Sequence, residues 1–153
     1  MFRLQWLGGA LERTEAFHAA VEQLPINPNE RVNGIRFLVT FLVNVYVSPE
    51  RSAPALRVVS VEPAATAAGG PGARLTLENL GTRYAYLSQS GAVLRVRRPS
   101  GETERSFALD DDEIRRGYGD VLVLPGARKQ VVLALPVPVA RKTLSVEIAG
   151  PPS

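Results

Sequence analysis

Ala73-Arg74-Leu75-Thr76-Leu77-Glu78, closed by Asn79-Leu80-Gly81, alternates apolar and polar side chains and then turns. A period of two is the mark of a strand with one face buried and the other in water, and Asn-x-Gly supplies the turn. The same grammar extends outward in both directions. Upstream, Leu56 to Val61 is rich in β-branched residues and runs to Pro63, and a soft loop is expected from Ala64 to Gly72. Downstream come Tyr84 to Ser88, then Val93 to Arg97 and Glu104 to Leu109 around a turn at Pro99-Ser100-Gly101. Val121 to Leu124 ends at Pro125-Gly126, and Gln130 to Leu135 and Thr143 to Ile148 follow as two last runs.

About seven short strands separated by Gly, Pro, Asn and Ser turns predict an antiparallel sandwich of the immunoglobulin-like kind. The fold class expected is therefore all-β, with one complete immunoglobulin-like domain over residues 55–153. Ahead of it, Ser48-Pro49-Glu50-Arg51-Ser52-Ala53-Pro54 reads as a hinge linker over 48–54, because prolines at both ends disfavour helix and central strand alike.

Residues 1–47 read differently. Val32 to Val47 is dense in β-branched and aromatic residues, and Ile35 to Val47 as one strand would span about 40 Å, roughly twice the usual length. Ile35, Phe37, Val39, Phe41, Val43 and Val45 share one face of it, and Leu38 and Leu42 add apolar bulk to the other. A strand this apolar aggregates unless something covers it. Thr14 to Leu24 is ambiguous: Ala16, Phe17, Ala20, Val21 and Leu24 fall at helical spacing, whereas Phe17, Ala19 and Val21 would share one face of a strand. With about three strands, this half cannot close a sandwich by itself, so it is expected either to be poorly ordered or to lean on the following domain.

Composition narrows the functional classes. The chain has 153 residues, 45% of them hydrophobic and 22% charged, which describes a globular protein. With no cysteine, disulfides, thiolate metal sites and Cys nucleophiles are excluded. The net charge of +3 comes from arginines interspersed with acids, with lysine only at positions 129 and 142, and no basic run is interleaved with aromatics as single-strand binding requires. Nucleic acid is not expected as a partner. Met1 to Trp6 lacks the order of a secretory signal, and Ile35 to Val47 is too short and too polar in places to cross a bilayer as a helix.

No catalytic constellation emerges. His18 is the single histidine and no Gly-x-Ser-x-Gly elbow accompanies it, so it reads as a strand histidine at the surface. Asp110-Asp111-Asp112-Glu113 lacks the alternating ligands and central glycine of a calcium loop and reads as a solvated acidic turn beside Arg115 and Arg116. Gly69-Gly70-Pro71-Gly72 neither opens a helix nor carries a Lys-Ser/Thr pair. Trp6 and the four tyrosines are expected to fill or edge the cores. The chain is read as a binding protein and not an enzyme, with no cofactor, no metal and no small-molecule substrate.

Several stretches, in order, resemble the periplasmic fimbrial assembly chaperones of the chaperone–usher family. They are Arg3-Leu4-Gln5-Trp6; Thr14-Glu15-Ala16-Phe17 running into Val21-Glu22-Gln23-Leu24-Pro25; Gly34 to Pro49 with its Val45-Tyr46-Val47-Ser48-Pro49 end; Asn79-Leu80-Gly81-Thr82-Arg83; and Val123-Leu124-Pro125-Gly126-Ala127. The resemblance implies that residues 1–47 are the last strands of a first immunoglobulin-like domain, truncated at its N-terminal side, and it selects strand over helix for Thr14 to Leu24. It implies a periplasmic location, a fimbrial or pilus subunit as partner, and the outer-membrane usher as a further one. In such chaperones the last strand of the first domain is lent to a subunit that lacks one, a form of β-augmentation called donor-strand complementation. Carried over, the subunit-binding residues are Ile35, Phe37, Val39 and Phe41, with Asn44 at the position where the family places a basic anchor for the subunit's carboxylate. Asparagine can donate a hydrogen bond there but brings no charge. The rival expectation is an immunoglobulin-like adhesion or fibre-scaffold module without chaperone activity.

Overall fold

A computed structural model describes residues 3–23, 39–97, 103–109, 112, 116, 119–135 and 144–148. It is an all-β antiparallel sandwich preceded by a β-hairpin. Ten strands lie among the described residues: β1 Glu15–Glu22, β2 Thr40–Val47, β3 Leu56–Ala65, β4 Pro71–Asn79, β5 Ala85–Tyr86, β6 Ala92–Arg97, β7 Thr103–Ala108, β8 Leu122–Val123, β9 Arg128–Ala134 and β10 Leu144–Ile148. One sheet of the sandwich has the order β3-β4-β9 and the facing one β10-β6-β7, with the short β5-β8 ladder beside them.

The alternation in β4 does what its pattern promises. Ala73, Leu75 and Leu77 are fully buried, while Arg74 on the opposite face is exposed and Thr76 and Glu78 are half-buried. They meet Ala92 and Leu94 of β6, and Leu133 of β9 and Leu87, Leu109, Val121, Val123 and Leu135 join the same core. Residues from both sheets thus contribute to one hydrophobic cluster. Each fully buried leucine stabilises the fold by about 1.5–3 kcal/mol relative to an exposed one.

On the outer face, charge is organised across strands. Arg57, Glu78 and Arg128 stand opposite one another on β3, β4 and β9. Glu78 accepts from Arg57 Nε at 2.7 Å and from Arg128 Nε at 2.9 Å. Those two hydrogen bonds, Arg128 first, hold its carboxyl below the usual carboxylate range. Glu147 of β10 similarly bridges Arg95 and Arg97 of β6 at 3.0 and 3.3 Å.

Asn79 is fully buried where β4 ends, and both ends of its side chain are saturated. Its Oδ1 accepts from the N–H of Ala55 (3.1 Å) and Gly81 (3.0 Å), and its Nδ2 donates to the carbonyls of Arg83 (2.7 Å) and Val123 (3.0 Å). Its backbone bonds Ala127 and Gly126 at 3.2 and 2.8 Å. One side chain therefore joins the linker, the 79–83 turn and β8. Gly81 is part of the same knot, since a Cβ there would meet the Ala53 carbonyl oxygen and the Ala55 nitrogen.

Four elements differ from the sequence expectation. β3 continues past Val61 through Pro63 to Ala65, which an edge strand tolerates because the missing N–H costs no ladder bond on its open side. The loop expected over Ala64 to Gly72 shrinks to a tight turn in which Thr66 and Gly70 bond each other and Gly69 takes a left-handed φ of 79°. Tyr84 to Ser88 is strand only at Ala85–Tyr86; the chain then winds into a 3-10 turn at Leu87–Gln89, held by Ser90 Oγ donating to the Leu87 carbonyl at 2.7 Å. Val121 to Leu124 keeps only Leu122–Val123 as strand, because Leu124 already belongs to the following turn through the Ala127 N–H bond at 3.0 Å. The turn expected at Pro99-Ser100-Gly101 lies outside the described residues, as do Asp110, Asp111 and Glu113. Asp112 is exposed in a helical turn, where its carbonyl accepts from Arg116 Nε at 3.1 Å.

β1 and β2 form a separate two-stranded antiparallel sheet, with Glu15 opposite Val47 and Glu22 opposite Thr40. The helical spacing in β1 loses to pairing with a β-branched partner, since helix propensity is a weak bias that tertiary contacts override. At its base the hairpin leans on the sandwich. Thr14 is buried there: its N–H donates to the Thr82 carbonyl at 2.8 Å, and its hydroxyl pairs with that of Ser48 at 2.8 Å and accepts from the Tyr84 N–H at 3.3 Å. The Tyr46 and Tyr84 rings add a tilted contact with centroids 5.4 Å apart.

Candidate binding edge on the hairpin

The register divides the hairpin into two faces. Phe17, Ala19 and Val21 of β1 stand opposite Val45, Val43 and Phe41 of β2, and their side chains make an apolar face bounded at the base of the hairpin by Glu15. The other face carries Ala16, His18 and Ala20 opposite Tyr46, Asn44 and Leu42. Among the described residues no second sheet covers either face, and β2 pairs with β1 alone. Exposure follows: 42% for Val39, 62% for Phe41, 80% for Leu42 and 43% for Val43. Trp6 packs on Phe17 at the rim of the apolar face, with ring centroids 5.5 Å apart, and its Nε1 donates to the Gly9 carbonyl at 3.1 Å. Trp6 therefore edges the hairpin and contributes nothing to the sandwich core.

The free edge of β2 can be resolved to individual peptide groups. Gln23 N–H donates to the Val39 carbonyl at 3.0 Å, one position beyond the Glu22–Thr40 pair and in the same register. In an antiparallel ladder, residues alternate between facing the partner and facing away. Val39, Phe41, Val43 and Val45 therefore direct their backbone groups to β1, and Thr40, Leu42, Asn44 and Tyr46 direct theirs to the open side. β2 carries no charged residue over its length, whereas β1 carries Glu15 and Glu22. Edge strands normally avoid adventitious pairing with charges, prolines or bulges, and none of these lies on β2.

Of the residues expected to bind, Val39 and Phe41 lie together on the apolar face and are exposed. Asn44 is exposed on the opposite face beside His18, so it does not share a surface with them. Ile35 and Phe37 lie outside the described residues. Phe17 and Trp6 extend the patch beyond the expected set, and Leu42 adds an exposed apolar side chain on the opposite face. For Leu42 the signal was present in the sequence, as an apolar residue on a strand's second face; for Trp6 no periodicity pointed to it. Among the described residues no group of three or more His, Cys, Asp or Glu is arranged to hold a metal ion.

Comparison with protein-family models, with curated proteins and with solved structures finds no match to this chain.

Proposed function

We propose that the protein is a chaperone of fimbrial or pilus subunits that works by donor-strand complementation, lending β2 to a subunit that lacks a strand. The observation that carries this reading is the uncharged, apolar β2, which among the described residues is paired on one side only and exposed on both faces. The peptide groups of Thr40, Leu42, Asn44 and Tyr46 would bond the subunit's own edge, and Val39, Phe41 and Val43 would fill its open groove. Burying four such apolar side chains, Ile35 or Phe37 among them, is worth about 6–12 kcal/mol before the costs of ordering and association. The resemblance of the sequence to chaperone–usher chaperones supports the same reading and adds to it the periplasm and the usher.

Co-purification with a candidate fimbrial subunit tests it, comparing the native chain with Val39→Asp and Phe41→Asp. Both side chains are exposed, so the variants are expected to unfold at the same denaturant concentration as the native chain while losing the subunit. Capture by the variants equal to that of the native chain rejects strand lending and leaves an immunoglobulin-like adhesion or scaffold module.

A further inference from the structure

A cavity of about 320 Å³ opens where the linker meets the sandwich, bounded by Pro54 and Leu56 on one side, by Arg83, Tyr84 and Tyr86 on the other, and by Ile148. That volume lies at the small end of the range for ligand sites. Both walls are fixed from behind. Ala55 N–H is held by Asn79 Oδ1 at 3.1 Å, and the Ala55 carbonyl accepts from Leu80 N–H at 2.9 Å. Opposite, Arg83 N–H donates to the Ala53 carbonyl at 3.1 Å, Tyr84 N–H donates to the Thr14 hydroxyl at 3.3 Å, and the Tyr84 and Tyr86 rings meet edge to face at 5.7 Å. The site is thus preformed, and a ligand would meet little ordering cost.

Its chemistry is also specific. Among the described residues no carboxylate pairs with Arg83, whose guanidinium lies 5.5 Å from the centre of the Tyr84 ring. Two phenol rings, a proline and two aliphatic side chains supply an apolar lining, and Gln89 brings an amide. Burial pushes the Tyr86 phenol up, so it stays neutral and adds no negative charge to the site at physiological pH. A cation at the rim of an aromatic slot matches a planar apolar group that carries one carboxylate.

We infer that this cavity binds a small aromatic monocarboxylate, its ring against Tyr84 and Tyr86 and its carboxylate on Arg83. The lining residues lie on the linker and the sandwich, with Tyr84 touching Tyr46 of β2, and the inference does not depend on strand lending. Titration of the full chain with phenylacetate, followed residue by residue by amide chemical shifts, tests the inference. Saturable shifts are expected at Leu56 and across Arg83 to Tyr86. The neutral isostere phenylacetamide should bind about tenfold more weakly or worse, as expected when a charge-assisted hydrogen bond is lost. Arg83→Gln should weaken phenylacetate to the same degree without changing the unfolding midpoint, because its backbone bonds to Ala53 and Asn79 are unaffected. The inference is overturned if no saturable shift occurs at these residues, if phenylacetamide binds as tightly as phenylacetate, if Arg83→Gln binds phenylacetate as tightly as the native chain, or if the shifts spread evenly over exposed arginines such as Arg51 and Arg105.

Discussion

Replacing Asn79 by alanine would cut four side-chain hydrogen bonds at once and leave the N–H groups of Ala55 and Gly81 and the carbonyls of Arg83 and Val123 without those partners. A net hydrogen bond contributes about 1 kcal/mol, and a buried group left unpaired costs about 1–3 kcal/mol. The bond to Val123 is buried, while the other three are only part-buried and water can relieve some of their loss. The expected destabilisation is therefore about 3–5 kcal/mol, a large share of the 5–15 kcal/mol typical of a domain. With a urea slope of about 2 kcal/mol/M, the midpoint should fall by roughly 2 M. Far-UV circular dichroism is the appropriate probe, because the single tryptophan, Trp6, reports on the hairpin and not on the sandwich. Asn79→Asp sharpens the test. It keeps both acceptor bonds but turns a carboxylate oxygen toward two carbonyls, which should raise the pKa of the introduced carboxyl above its unfolded value. That variant should be at least as destabilised at neutral pH and should recover part of the loss below about pH 4, where both states carry the proton and the acid can donate to one carbonyl. A midpoint shift below about 0.5 M urea for Asn79→Ala, with unchanged slope, would refute the assignment of Asn79 as the knot between linker, turn and β8.

Gly81→Ala should destabilise the same knot by about 1–3 kcal/mol, since the new Cβ meets backbone atoms of residues 53–55 that cannot swing aside as a side chain would; thermal denaturation measures it. Glu78→Gln should lower the melting temperature at neutral pH. Because the folded carboxyl titrates below its usual value of 4.5, its contribution is present above the unfolded pKa and is lost as pH falls through the folded one, so native and variant curves should converge in acid and approach each other in high salt. Thr14→Ala removes the hydroxyl contacts with Ser48 and Tyr84 at a cost of about 1–2 kcal/mol, and should separate hairpin melting, seen by Trp6 fluorescence, from sandwich melting seen by circular dichroism. Leu75→Ala should cost about 2–5 kcal/mol by emptying the centre of the core, measured by urea denaturation.

The sandwich was legible because its strands keep period two with one face in water: the pattern in β4 and β6 names its own buried residues, Leu75, Leu77 and Leu94. What the pattern could not reach were contacts between residues far apart in sequence. Asn79 reads as an ordinary turn residue, and nothing local reveals that Val123, 44 positions on, takes one of its protons. The length of β3 was hidden for the opposite reason: Pro63 is a strand breaker in general and is harmless only on an edge, and edge status is a property of the sheet order.

The hairpin separates these two kinds of information most sharply. Composition alone marks β2 as apolar and uncharged, which in a sandwich would mean a buried central strand. Its burial depends instead on what lies above and beside it, and among the described residues there is only β1. The register then assigns the two halves of a binding act to alternate residues, with open peptide groups at Thr40, Leu42 and Asn44 and exposed side chains on the apolar face at Val39, Phe41 and Val43. A charge placed at Val39 or Phe41 would therefore act on groove filling while leaving the peptide edge intact. A proline at Leu42 would remove an outward N–H while sparing both the ladder to β1 and that apolar face. If strand lending is how β2 works, both classes of variant should lose the subunit, the proline variant without any change in the apolar surface offered to it. Loss with the charged variants alone would mean that the face binds as a flat patch and that the edge is not lent.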